Sequence, residues 1–159
     1  MANFTTTGSN TFRAGIVIQQ VSTFVDQPSH VTLSAGGFTV MGGIHMLAIT
    51  PKDAGSKLFM WATCHPYGSG SGGVNTCAYD FYDTRTSAWL GAIGTANGGV
   101  SGYFAIEGYS AGPNVAMAGT TSGTTAARTY KLGMRNPDSN TLYDHNDGIF
   151  AMTISEIMQ

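Results

Sequence analysis

Residues 57–64 read KLFMWATC. Successive side chains of a β-strand point to opposite faces. The stretch therefore sets Leu58, Met60, Ala62 and Cys64 on one side and Phe59, Trp61 and Thr63 on the other. A half-buried antiparallel strand needs one apolar face, and this one has two. The residues before it, ITPKDAGS at 49–56, stop a short strand-like run at Pro51 and pass through a small polar turn. One face of the restarted strand can fill a domain core. The other needs a second cover: a crossing loop, a ligand groove or a neighbouring subunit. Large exposed apolar patches are rare on monomers, so the expectation is that sister copies of the chain cover Phe59 and Trp61.

Period-two alternation recurs outward from this stretch. GIFAMTISEI places Phe150, Met152 and Ile154 on one face, and ARTYKLGMR does the same with Tyr130, Leu132 and Met134. TCAYDFYD groups Cys77, Tyr79 and Phe81 opposite Ala78, Asp80 and Tyr82, a second strand with too many rings for one face. Tyr79 and Phe81 therefore join Phe59 and Trp61 as candidate interface residues. RAGIVIQQV, GIHMLAIT, RTSAWLGAI and GYFAIEGY are further strand candidates, separated by turn-forming clusters such as TPKDAGS, TANGG and NPDSN. No stretch carries a helical repeat with caps. Many short strands with frequent turns predict an all-β antiparallel sandwich or barrel-like jelly roll.

The composition agrees. The 159 residues suffice for one domain, expected over residues 13–159 behind a short N-terminal arm, 1–12, in which Phe4 and Phe12 are candidate docking anchors. Charged residues are 10% of the chain, against roughly 25% in an average domain. So little charge implies that much surface is hidden against other chains. The net charge of −2 and the lack of a basic stretch argue against direct nucleic-acid binding, which needs clustered Lys and Arg. No run of 18 apolar residues predicts a membrane span, and MANFTTTGSNTF has no basic and apolar signal regions. The chain is expected to stay in the cytosol where it is made or to leave inside something larger. Cys64 and Cys77 flank HPYGSGSGGVNT and could face each other across a hairpin; in a reducing cytosol free thiols are the expectation.

Catalytic patterns are weak. GYSAG, residues 108–112, fits the G-x-S-x-G elbow, but Pro113 follows at once and no helix can be read after it. DHNDG, residues 144–148, lacks the spacing and distal Glu of a calcium loop. His30, His45, His65 and His145 show no metal-ligand spacing. The glycine-rich segments 68–73 and 94–99 lack the Lys and following helix of a phosphate loop. No catalytic residue, cofactor or metal site is expected. Asp80 and Asp83, on or beside an aromatic strand, have the composition of a sugar-binding groove, but more commonly that of an ordinary strand edge.

Three features taken in order resemble a family of small phage virion proteins with a tumour-necrosis-factor-like jelly roll. VIQQVST (17–23) resembles its opening strand and LAITPKDAGSKLFMWA (47–62) its polar hairpin leading into an apolar strand. RTYKLGMRN (128–136) and FAMTISEI (150–157) resemble its last two strands. The resemblance implies a homotrimer packed around a three-fold axis, a virion location after assembly in the host cytoplasm, and the major capsid protein or other virion proteins as partners. Only about 12 residues precede the first strand, which favours a head-decoration or capsid-cement protein over a fibre. The alternative is a receptor- or carbohydrate-binding module at a tail-fibre tip, using Tyr67, Tyr82 and Asp83.

Overall fold

The two-faced strand KLFMWATC lies inside a sheet, hydrogen-bonded on both sides. A computed structural model describes residues 15–26, 32–33, 38–41, 43–64, 66–69, 74–90, 102–107, 114–135, 141–144 and 149–159. Its strands are β1 (Val17–Asp26), β2 (Thr32–Leu33), β3 (Phe38–Val40), β4 (Met46–Ile49), β5 (Lys57–Cys64), β6 (Pro66–Ser69), β7 (Val74–Asp83), β8 (Ala88–Trp89), β9 (Gly102–Glu107), β10 (Asn114–Thr121), β11 (Arg128–Arg135), β12 (Thr141–Asp144) and β13 (Ile149–Ile157). Among the described residues there is no helix, as expected of a chain rich in Gly, Ser and Thr and poor in Lys and Glu.

The strands form antiparallel sheets. The first has the order β1-β13-β5-β10; the second has β3-β11-β7-β8, with β4 also on β11 and β9 also on β7; a small third sheet has β2-β12-β6. The chain passes repeatedly between the two large sheets: β4 to β5, β10 to β11 and β11 to β13 all change sheet. Its last strand, β13, is inserted between β1 and β5.

The core lies between these sheets and follows the alternation in the sequence. Leu58, Met60 and Ala62 of β5 and Phe150, Met152 and Ile154 of β13 meet Tyr130, Leu132 and Met134 of β11, with Tyr79, Phe81, Ile49 and Met41 completing the cluster. Each large side chain here contributes roughly 1.5–3 kcal/mol by leaving water. His45 is buried edge-on against Phe150, ring centroids 4.7 Å apart.

Tyr79 and Phe81 were candidates for a subunit interface, and the structure corrects this. Both have no exposed surface and belong to the chain's own core. The face of β7 that bears them points inward, and the opposite face carries Asp80 and the half-buried Tyr82. Cys64 and Cys77, which could have faced each other across a hairpin, stand on β5 and β7, strands of different sheets, and their side chains lie outside the described residues.

Two crossing loops meet at one end of the sandwich. Ser122 and Gly123 donate backbone N–H bonds to the Ser56 and Ala54 carbonyls, each 2.9 Å. Gly123 sits at φ +64°, a left-handed conformation that glycine adopts without strain. Beside this seam the buried Asp83 carboxylate accepts from the Arg128 guanidinium, which also donates to the Ser122 carbonyl.

Candidate functional site

The outward face of the first sheet is the most distinctive surface of the described chain. Register fixes its composition. Across the sheet, Ser22, Thr153 and Trp61 form one row, Gln20, Ser155 and Phe59 the next, and Phe24, Ala151 and Thr63 a third. None of these nine residues is charged. Charge stands at opposite corners, where Asp26 pairs with Ile149 and Lys57 with Ile157. The Lys57 ammonium is itself turned to the Thr121 hydroxyl at 2.7 Å.

The rings expected here are on this face. Phe59 keeps 40% of its surface exposed, and Trp61 is half-buried. Between β1 and β13 the hydroxyls of Ser22 and Thr153 share a hydrogen bond at 3.0 Å, which binds the edge strand to the sheet centre. At the far corner Phe24 is 66% exposed, and Ile149 on the adjoining strand is 42% exposed. Sequence reasoning missed Phe24. Its signal was the polar set Gln20, Ser22 and Asp26 on the alternate positions of β1, into which a phenylalanine intrudes.

The other large sheet is finished differently. Trp89 crosses its outer side at Gly133, where a Cβ would stand 2.2 Å from Cζ3 of the indole. Tyr82 meets Trp89 edge to face, centroids 5.1 Å apart. This aromatic pair is therefore packed within the chain.

Asp83, offered as a sugar-binding carboxylate, is not available for that role. It has no exposed surface and is closed by Arg128 and by the Arg85 N–H at 3.0 Å. Burial by itself would raise its carboxyl. The hydrogen bond from Arg128, that from the Arg85 N–H, the Arg128 charge and the Thr86 hydroxyl together outweigh burial and hold it below the ordinary 3.8. Tyr130, whose ring lies 5.3 Å from the Arg128 guanidinium carbon, is pushed up to about 12 by burial, with the nearby Arg128 charge opposing and Asp83 reinforcing. Asp80 is buried as well and accepts the Phe81 N–H at 2.7 Å.

Phe4, Phe12, the GYSAG segment and the side chain of Tyr67 lie outside the described residues. Among the described residues no three His, Cys, Asp or Glu side chains gather to hold a metal, and no helix is long and apolar enough to cross a membrane. This surface is made of hydroxyls, one amide and rings, with charge only at its Asp26 and Lys57 corners. The chain matches no protein-family model, and a search of curated proteins returns no match.

Proposed function

We propose that this protein is a virion structural protein that forms a homotrimer and decorates or cements a phage capsid. The observation that carries the reading is the outward face of the first sheet, charged only at its Asp26 and Lys57 corners, with Phe59, Trp61 and Phe24 on it. Burying the centre of this face desolvates no charge, and its Ser22–Thr153 pair is already hydrogen-bonded within the chain. Burying its rings contributes roughly 1.5–3 kcal/mol for each one fully covered, and cyclic symmetry repeats the gain at every interface.

The strand order supports the finer fold reading. With β3 and β4 taken as one interrupted strand and β8 and β9 as another, the two large sheets hold eight strands, four in each. The chain alternates between them as in a double-sheet jelly roll. A tumour-necrosis-factor-like jelly roll with its first sheet turned toward a three-fold axis buries the Phe59–Trp61 face against sister copies. The second sheet then points outward. The trimer acts through buried area, bridging neighbouring capsid subunits and raising the cost of separating them. The tail-tip alternative loses Asp83, which is committed to Arg128.

Electron images of particles assembled with and without the protein test the reading. Added density on the head surface is the expected result. Added density confined to the tail, or particles that do not take up the protein, contradict it.

A further inference from the structure

The polar end of the sandwich holds a second feature, independent of the proposed assembly. Glu156, next to last in β13, has no exposed surface. It lies on the inward side, in register with Leu58. Its carboxylate is wrapped by the loop leading into β5. The Lys52 N–H reaches both oxygens, at 2.9 and 3.0 Å; the Asp53 N–H donates to Oε1 at 3.0 Å, and the Ser56 hydroxyl lies 2.7 Å from the same oxygen. The Lys52 ammonium is directed elsewhere, to the Ile18 carbonyl at 3.3 Å. These donors to the buried carboxylate are thus two successive backbone N–H groups and a hydroxyl, the arrangement of an anion-binding nest.

The same loop is held from its other side. The Asp53 carbonyl accepts the Ser122 hydroxyl at 2.5 Å, and the Asp53 carboxylate accepts the Gly55 N–H at 2.5 Å; the Ser56 hydroxyl lies 2.7 Å from both the Asp53 carbonyl and Glu156 and has one proton to share between them. The loop is therefore closed around a site whose occupant arrives from 103–104 residues later in the chain.

We infer that residues 51–56 form a carboxylate-binding nest and that Glu156 is its intramolecular ligand, so that insertion of the last strand and ordering of the loop entering β5 are one event. The physical reason is reciprocal. Without the carboxylate, the N–H groups of Lys52 and Asp53 converge on an empty polar site; without the nest, Glu156 is an unsolvated buried charge. Each half is costly alone, and together they are satisfied. Because β13 lies between β1 and β5, the latch ties completion of the first sheet to arrival of the C-terminus.

The test uses the full chain, with amide hydrogen exchange and thermal unfolding as readouts. Glu156→Gln keeps the volume and removes the charge. It is expected to lower Tm by about 4–10 °C. It should also speed exchange about tenfold or more at Lys52 and Asp53 in the loop and at Met158, which bonds the Ile16 carbonyl beyond the latch. Leu132, bonded to the His45 carbonyl in the opposite sheet, should exchange as in the wild type. Unchanged exchange at Lys52 and Asp53 overturns the nest, and faster exchange there with Met158 unaffected overturns the coupling. Should Glu156→Gln not fold, Ser56→Ala decides: it removes one donor from outside β13 and should lower Tm by about 2–4 °C, whereas a wild-type Tm overturns the inference.

Discussion

Asp83 shows how far the role of a single position can lie from its local sequence. In sequence it ends an aromatic strand and resembles a ligand group; in the fold it is the counterion of Arg128, a residue 45 positions away. Nothing local announces a pair so distant. The pair makes an acid prediction. The folded carboxyl lies below 3.8, so its contribution is complete above that pH and is lost as pH falls through the folded value. Asp83→Asn should remove that part of the acid dependence. It should also cost about 3–5 kcal/mol at neutral pH by leaving Arg128 buried without its partner. Urea unfolding from pH 7 down to pH 2 checks both. Gly133 offers a test of a different kind. Gly133→Ala places a methyl inside the space of the Trp89 indole, so about 1–3 kcal/mol of stability should be lost, with a change in tryptophan fluorescence as the ring is displaced.

Strands were legible where the alternation is clean. GIFAMTISEI and ARTYKLGMR put in the core the very residues their period assigns to one face. TCAYDFYD was legible as a strand, but its facing was not, because rings occur on both sides and only tertiary packing selects the inner set. KLFMWATC was legible as a strand whose Leu58, Met60 and Ala62 fill the core; on its other face Phe59 is exposed and Trp61 half-buried. These two strands predict opposite phenotypes. Phe81→Ala should cost about 3–5 kcal/mol of folding stability, whatever the chain's assembly state. Trp61→Ser should leave the fold cooperative and weaken association instead. Chemical unfolding at several protein concentrations separates the effects: the Phe81 variant shifts its midpoint at every concentration, and the Trp61 variant loses concentration dependence. Glu156 was the least legible element-level feature. It read only as one acid in an apolar strand, and its meaning depends on a loop folded back from residues 52–56.

For the whole molecule, a low-charge chain folds into two large sheets whose outer surfaces differ. On the second sheet Trp89 packs over Gly133 and against Tyr82; the first leaves Phe24 and Phe59 exposed on a face whose charges, Asp26 and Lys57, stand at opposite corners. Phe24 enlarges that face beyond the two rings found in KLFMWATC, so Phe24→Glu should weaken association alongside Phe59→Glu. The central claim is that copies of this chain cover the first sheet. Light scattering on the purified protein during size exclusion measures it directly. The account predicts a mass near 50 kDa, three times the 16.6 kDa chain, falling to one chain in a folded Phe59→Glu, Trp61→Glu double variant. A wild-type protein that runs as a single chain at micromolar concentration would contradict it.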